Sequence, residues 1–201
     1  QFVRQSLDSA ERPVVLIGSG IRSSNSTGEL ETFLANSQIP VVYSASAPDV
    51  YGLDHSLSIG SVGIMGSTRA GNFALQNSDL LLVLGCRLSS MIAGSDPDKF
   101  ARKASVIVVD IDKIEHSKGT VNIDRFIHSD LKVFLNEVNE VTINPAPIAW
   151  QKKCIHWKKI FPRCEESFKS EAKIDLYDLT EQLSHVLPEK SIIITDSGLI
   201  E

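Results

Sequence analysis

The sequence predicts an α/β domain, doubly wound around a mainly parallel six-stranded sheet with helices on both faces. Three observations carry that reading. Short β-branched runs are apolar almost without interruption, as strands buried on both faces must be. They alternate with stretches of helical periodicity, which is the pattern that builds parallel sheets. Glycine-rich turns follow several of the runs, as in "RPVVLIGSGIRSS", residues 12–24.

Five strands can be placed in order, at 13–17, 39–43, 80–84, 106–110 and 124–128. Between them, residues 27–36 set Leu30, Phe33 and Leu34 at helical spacing, with Ser26 or Thr27 as the N-cap. A helix rich in small residues is expected over 67–76, and one over 130–138 with Leu131, Phe134, Leu135 and Val138 on a single face. This domain is expected to span 1–141. "TINPAPIA" (142–149) reads as a linker, because Pro145 and Pro147 disfavour helix. Residues 150–201 then open a second unit. It begins with a basic helix whose stripe of Trp150, Cys154, Trp157 and Phe161 is expected to dock on the domain or on further neighbours, rather than on a membrane or calmodulin. A helix over 176–187 and a strand entering a turn, "SIIITDSG" (191–198), complete the tail.

Composition excludes several classes. A net charge of −5 on 201 residues argues against a nucleic-acid or polybasic membrane surface. No apolar run approaches the ~20 residues of a membrane span, and no signal-peptide pattern opens the chain. Three scattered cysteines, Cys86, Cys154 and Cys164, do not make a disulfide framework or a zinc site, so a reducing, cytoplasmic compartment is expected. A start at Gln1 and a stop at Glu201 just after a strand-like run are what a piece of a longer polypeptide would show.

The Gly18-Ser19-Gly20 turn invites a dinucleotide reading, which the sequence does not support. The fingerprint needs a third small residue where Ser23 stands, an immediate helix start, and an acid ending the second strand. Here that strand ends Val42-Tyr43-Ser44, and the helix begins only after "IRSSNS". A pocket is predicted all the same, since ligands of open α/β sheets sit at the carboxyl ends of the strands. "VGIMGSTRAG" (62–71) leads into a helix whose amides can face an anion, and "LGCRLSS" (84–90) follows a strand directly. Asp110 and Asp112 end another strand, where carboxylates can accept ribose hydroxyls. No nucleophile stands beside a base, and His55, His116, His128, His156 and His185 lack ligand spacing. Of these, His55 alone lies near the turns in sequence; the others read as surface or packing residues.

Taken in order, "RPVVLIGSG", "IPVV", "GLDHSLSIGSVGIMGSTRAGNFALQNSDLLLVLGCRL", "ASVIVVDIDKIEHSK" and "IHSDLKVFLNEV" resemble the central domain of thiamine-diphosphate-dependent enzymes, the superfamily of acetolactate synthase, pyruvate oxidase and the decarboxylases. The blocks run from Ala10 to Val138, and the fold implied is Rossmann-like, of the type that binds NAD or FAD. In that family a subunit has pyrimidine-binding, central and diphosphate-binding domains. The resemblance therefore implies that the tail is a linker helix and the start of the third domain. It also implies that the activating glutamate and the Gly-Asp-Gly…Asn motif for Mg and diphosphate lie outside this chain, leaving it without catalytic residues. The parent would decarboxylate a 2-oxo acid on thiamine diphosphate and pass the carbanion to an acceptor, as a homodimer or homotetramer.

The acetolactate synthase branch holds FAD in this domain. On that likeness Gly18, Ser19 and Gly20 face the cofactor; Gly63, Ile64, Met65 and Gly66 form the second turn, with Met65 replacing a histidine. Gly85, Cys86 and Arg87 keep the Gly-x-Arg turn, Asp110 and Ile111 match the adenosine-binding strand end, and Glu115 and Asp130 match later acids. Ser89-Ser90-Met91 replace Asp-Asp-Arg, losing a cation whose contact is worth about 1.5–3 kcal/mol. The nucleotide half of an FAD pocket is thus kept and the flavin half eroded, which leaves FAD or an ADP-like nucleotide as the ligand. Gly198 can pass its backbone near the diphosphate, although Leu199 and Ile200 replace the usual Gln-His. An autonomous nucleotide or flavin module, like an electron-transfer flavoprotein or a sirtuin, and a purely structural scaffold are the alternatives.

Overall fold

The computed structural model describes residues 1–165 and 173–194. They form two units, Gln1–Phe161 and Pro162–Glu201. In the first, all six strands are parallel, in the order β3-β2-β1-β4-β5-β6: β1 (Pro13–Ile17), β2 (Val41–Tyr43), β3 (Ser58–Ser61), β4 (Leu80–Leu84), β5 (Ser105–Asp110) and β6 (Arg125–His128). The predicted doubly wound α/β fold is what the chain adopts.

Alternation along the strands divides the core in two. Val15, Ile17, Leu82, Leu84, Ile107 and Val109 face one layer, under α1 (Phe2–Ser9), α3 (Thr27–Ser37) and α7 (Leu131–Asn139). Val14, Leu16, Leu81, Val83, Val106 and Val108 face the other, under α4 (Arg69–Asn77) and α8 (Ile148–Ile160). Both faces of the central strands β1 and β4 are buried, which is why they read as unbroken apolar runs, whereas the edge strand β6 is only half-buried to exposed. Short helices α2 (Gly20–Ser23), α5 (Ser90–Ala93) and α6 (Lys113–His116) follow β1, β4 and β5.

Besides these short helices, which the sequence reading did not anticipate, two further elements escaped it. Strand β3, Ser58-Ile59-Gly60-Ser61, carries one large apolar residue, yet all four residues are buried beside β2. Helix α1 is amphipathic, and only Val3 and Leu7 meet the core. Elsewhere ends shift slightly: β2 starts at Val41, after Pro40, and α4 starts at Arg69 behind the Thr68 cap.

Helix α8 begins at Ile148, with Pro147 at its N-cap. Its apolar stripe docks on the domain: Trp150 and Cys154 are buried in the second core layer, with Trp157 and Phe161 packed against it. Trp150 Nε1 donates to the Pro13 carbonyl at 2.9 Å, tying the helix to the start of β1. Phe73 of α4 meets Trp157 and Phe161 edge-on, and Arg69 lies over the Phe161 ring.

In the second unit, α9 (Leu176–Val186) is capped by Asp175, which accepts from the Tyr177 amide. Residues 191–194 do not form the expected strand, and 195–198 lie outside the described residues. Ile192 and Ile194 are about nine-tenths exposed, at 89% and 91%. A β-branched run becomes a strand only where an edge pairs with it. Among the described residues no helix is long and apolar enough to cross a membrane.

Candidate functional site

Strand order decides where a ligand can sit. From β1 the chain moves outward to β2 and β3; from β4 it moves the other way to β5 and β6. The carboxyl ends of β1 and β4 therefore flank the point at which the winding reverses, the usual ligand crevice of open α/β sheets. Gly18-Ser19-Gly20 leaves β1 there and Gly85-Cys86-Arg87 leaves β4 beside it.

The two turns are pressed together by backbone alone. Gly18 N–H donates to the Leu84 carbonyl at 2.9 Å, and Gly20 N–H to the Gly85 carbonyl at 3.0 Å. A Cβ on Gly18 would lie 2.1 Å from the Gly85 oxygen, and one on Gly20 would lie 2.7 Å from the Gly85 Cα. Gly85 adopts φ +59°, and a Cβ there would meet Leu131 Cδ1 at 2.6 Å. These glycines are thus needed to close the edge, and their amides are already bonded. The groups left facing outward are Ser19, half-buried, and the exposed Arg87.

Acids gather on the next strand over. Asp110 ends β5, and its Oδ1 accepts the Asp112 amide at 2.9 Å. Asp112 in turn caps α6 by accepting the Glu115 amide at 2.9 Å. Lys118 bonds Glu115 at 2.6 Å and, with a smaller contribution from the nearby Arg87 charge, holds its carboxyl below the usual range. Ile111 is exposed beside Asp110. Asp130 caps α7, accepting the Lys132 and Val133 amides at 2.8 and 3.2 Å, and adjoins Leu131, the neighbour of Gly85. Cys86 is buried, and burial pushes its thiol up to about 11, which rules it out as a nucleophile at neutral pH.

The second glycine turn closes on the segment after Arg87. Gly63 has φ +125°, and a Cβ there would sit 2.4 Å from the Met91 oxygen. The Ile64 amide donates to that same oxygen at 3.0 Å. Asn72 brackets the turn, accepting from Gly63 N–H and donating to its carbonyl, both at 3.2 Å. Ser61 donates to the Gly66 carbonyl at 2.7 Å. The Gly71 amide, which could have met an anion at the start of α4, is taken by the Thr68 hydroxyl at 3.0 Å. Ile64, Met65 and Met91 stand exposed here, offering apolar surface and no charge.

Sequence reasoning missed two residues of this edge, Ser44 and His116. Ser44 directly follows β2, where its hydroxyl hydrogen-bonds that of Ser46 at 3.0 Å; its place at a strand's carboxyl end was the available signal. His116, expected to be a packing residue, lies against Asp110. His55 sits just before β3, at the opposite, amino-terminal end of the sheet, where it meets the Tyr51 hydroxyl. Gly198 lies outside the described residues. Of the two features that argued against a dinucleotide fingerprint, the late helix start is corrected: a helix begins at once at Gly20, although α2 stops after four residues with Asn25 at φ 50°; β2 still ends without an acid.

Fold and edge together define a Rossmann-like α/β domain whose winding reverses between β1 and β4. Comparison narrows the class. The family described as "Thiamine pyrophosphate enzyme, central domain" matches residues 1–138, and the chain belongs to that family. It is 38% identical over 130 residues to a probable acetolactate synthase large subunit of Methanococcus aeolicus, covering 65% of this chain and 21% of that protein. It is 31% identical over 199 residues to the acetolactate synthase isozyme 2 large subunit of Escherichia coli, covering 97% of this chain and 34% of that protein. Against acetolactate synthase 3, chloroplastic, of Brassica napus it is 31% identical over 205 residues, covering 98% and 30%. The chain thus spans about a fifth to a third of the length of these relatives.

Proposed function

We propose that residues 1–141 serve as the central domain of a thiamine-diphosphate-dependent carboligase or decarboxylase acting on 2-oxo acids, and that its switch-point edge holds the ADP portion of FAD or an ADP-like nucleotide. Residues 142–149 are the linker, and 150–201 the linker helix and opening of a diphosphate-binding domain. Thiamine diphosphate with Mg supplies the carbanion chemistry in such enzymes, and in this reading the present part shapes the subunit and holds the nucleotide. Assembly as a homodimer or homotetramer, in contact with the other domains of the same polypeptide, belongs to this reading.

The observation that carries it is the placement of Arg87 after β4, and of Asp110 and Glu115 at and after the end of the adjacent β5, beside the point of strand reversal. A guanidinium facing outward suits a phosphate, and carboxylates one strand away suit ribose hydroxyls. The donor set fits an ADP moiety. It gives a flavin ring only the uncharged surface of Ile64, Met65 and Met91, so affinity rests on the nucleotide half.

Titration calorimetry with ADP and FAD tests this. Both ligands are expected to bind, and Arg87→Ala to weaken both by about tenfold or more, the worth of one charge-assisted contact. Failure of either ligand to bind the wild-type chain would leave the scaffold reading, and equal affinity in Arg87→Ala would remove the phosphate role from this residue.

A further inference from the structure

Asp110 does not stand alone at the end of β5. Its Oδ1 is committed to the Asp112 amide, while Oδ2 lies 3.4 Å from Nε2 of His116. The His116 side chain is 3% exposed, and its Nε2 makes no hydrogen bond among the described residues. The ring is confined on its other side by Phe126, 5.3 Å away and tilted by 35°. Phe126 in turn stacks on His128 at 6.3 Å, and His128 Nε2 bonds the Ile111 carbonyl at 3.0 Å. Leaving a buried polar nitrogen unpaired is costly. Packing against Phe126 alone would be served as well by a leucine. What distinguishes the imidazole is that its unpaired nitrogen faces the one Asp110 oxygen without another partner, a small rotation from a hydrogen bond.

We propose that His116 is a positioning residue for Asp110: it fixes the direction of the carboxylate, and so gives this edge a preference for ligands with a ribose diol. The inference rests on the nucleotide reading above. A carboxylate oxygen has two acceptor sites. With Nε2–H engaging one on Oδ2, the other is held toward the ligand edge and can accept a ribose hydroxyl. Without that engagement the carboxylate turns about its bond to Cβ, and the diol loses a preset acceptor.

The 201-residue chain and its variants His116→Leu, His116→Gln and Asp110→Asn are titrated with ADP and with 2′,3′-dideoxy-ADP. The wild type is expected to prefer ADP by about tenfold, the value of one hydrogen bond to a charged group. His116→Leu should erase that preference while leaving dideoxy-ADP affinity within about twofold, and His116→Gln, whose amide can donate to Oδ2, should restore part of it. Equal losses for both ligands in His116→Leu, or an unchanged preference, would overturn the proposal. A second readout needs no nucleotide: the ring ¹⁵N resonances of His116 should move in Asp110→Asn, and unmoved resonances would also overturn it. Moved resonances in a chain that binds neither ligand would refute the diol preference along with the nucleotide reading and leave the His116–Asp110 contact standing.

Discussion

Gly18 has no room for a side chain, because the Gly85 carbonyl oxygen would lie 2.1 Å from its Cβ. Neither partner is a flexible side-chain end, so backbone must move. Gly18→Ala is expected to destabilise the domain by about 1–3 kcal/mol, the range for overpacking. Gly28, in the first turn of α3, has nothing within 4 Å of where a Cβ would sit. Gly28→Ala should stabilise by about 0.4–1 kcal/mol through the unfolded chain. Urea unfolding of the two variants checks both signs. A neutral Gly18→Ala would mean that the β1 and β4 turns are not in contact in solution. This pair also marks a limit of sequence reading. The string "GSG" announced a close approach of backbone but could not say to what; the answer, the turn of β4, needed the strand order. Asp110 was legible as a charge ending an apolar strand, whereas Arg87 and Glu115 were placed by the resemblance to the family's turns. His116 was not legible, since a histidine six positions after the strand end at Asp110 looks the same whether it packs or points.

At the scale of elements, α8 is tied to the sheet by Trp150, which is buried and donates to Pro13. Trp150→Phe keeps most of the apolar contact but strips the Pro13 carbonyl of this donor. An unsatisfied buried acceptor costs about 1–3 kcal/mol, and the urea midpoint should fall accordingly. An unchanged midpoint would show that α8 does not dock on β1 in solution. The stripe that predicted this docking was readable from spacing, as were α3 and α7 from their apolar faces and α4 from its small residues. Strand β3 was not, because Ser58, Gly60 and Ser61 carry no strand signal and are held by pairing with β2. Such a strand is specified by tertiary context. The run at 191–194 fails the opposite way, with strong strand propensity and no paired edge among the described residues.

For the whole molecule, the order β3-β2-β1-β4-β5-β6 is the fact on which the functional reading turns. It brings the turns after β1, β4 and β5 to one edge, with Arg87 after β4 and the acids after the adjacent β5. The central claim, that this edge seats a nucleotide, is tested most directly by mapping amide chemical shifts of the ¹⁵N-labelled chain during titration with ADP. Saturable changes should concentrate at Ser19, Gly85–Arg87 and Asp110–Glu115, with His55 and α8 unmoved. No saturable change, or changes centred away from the β1/β4 switch point, would contradict the account.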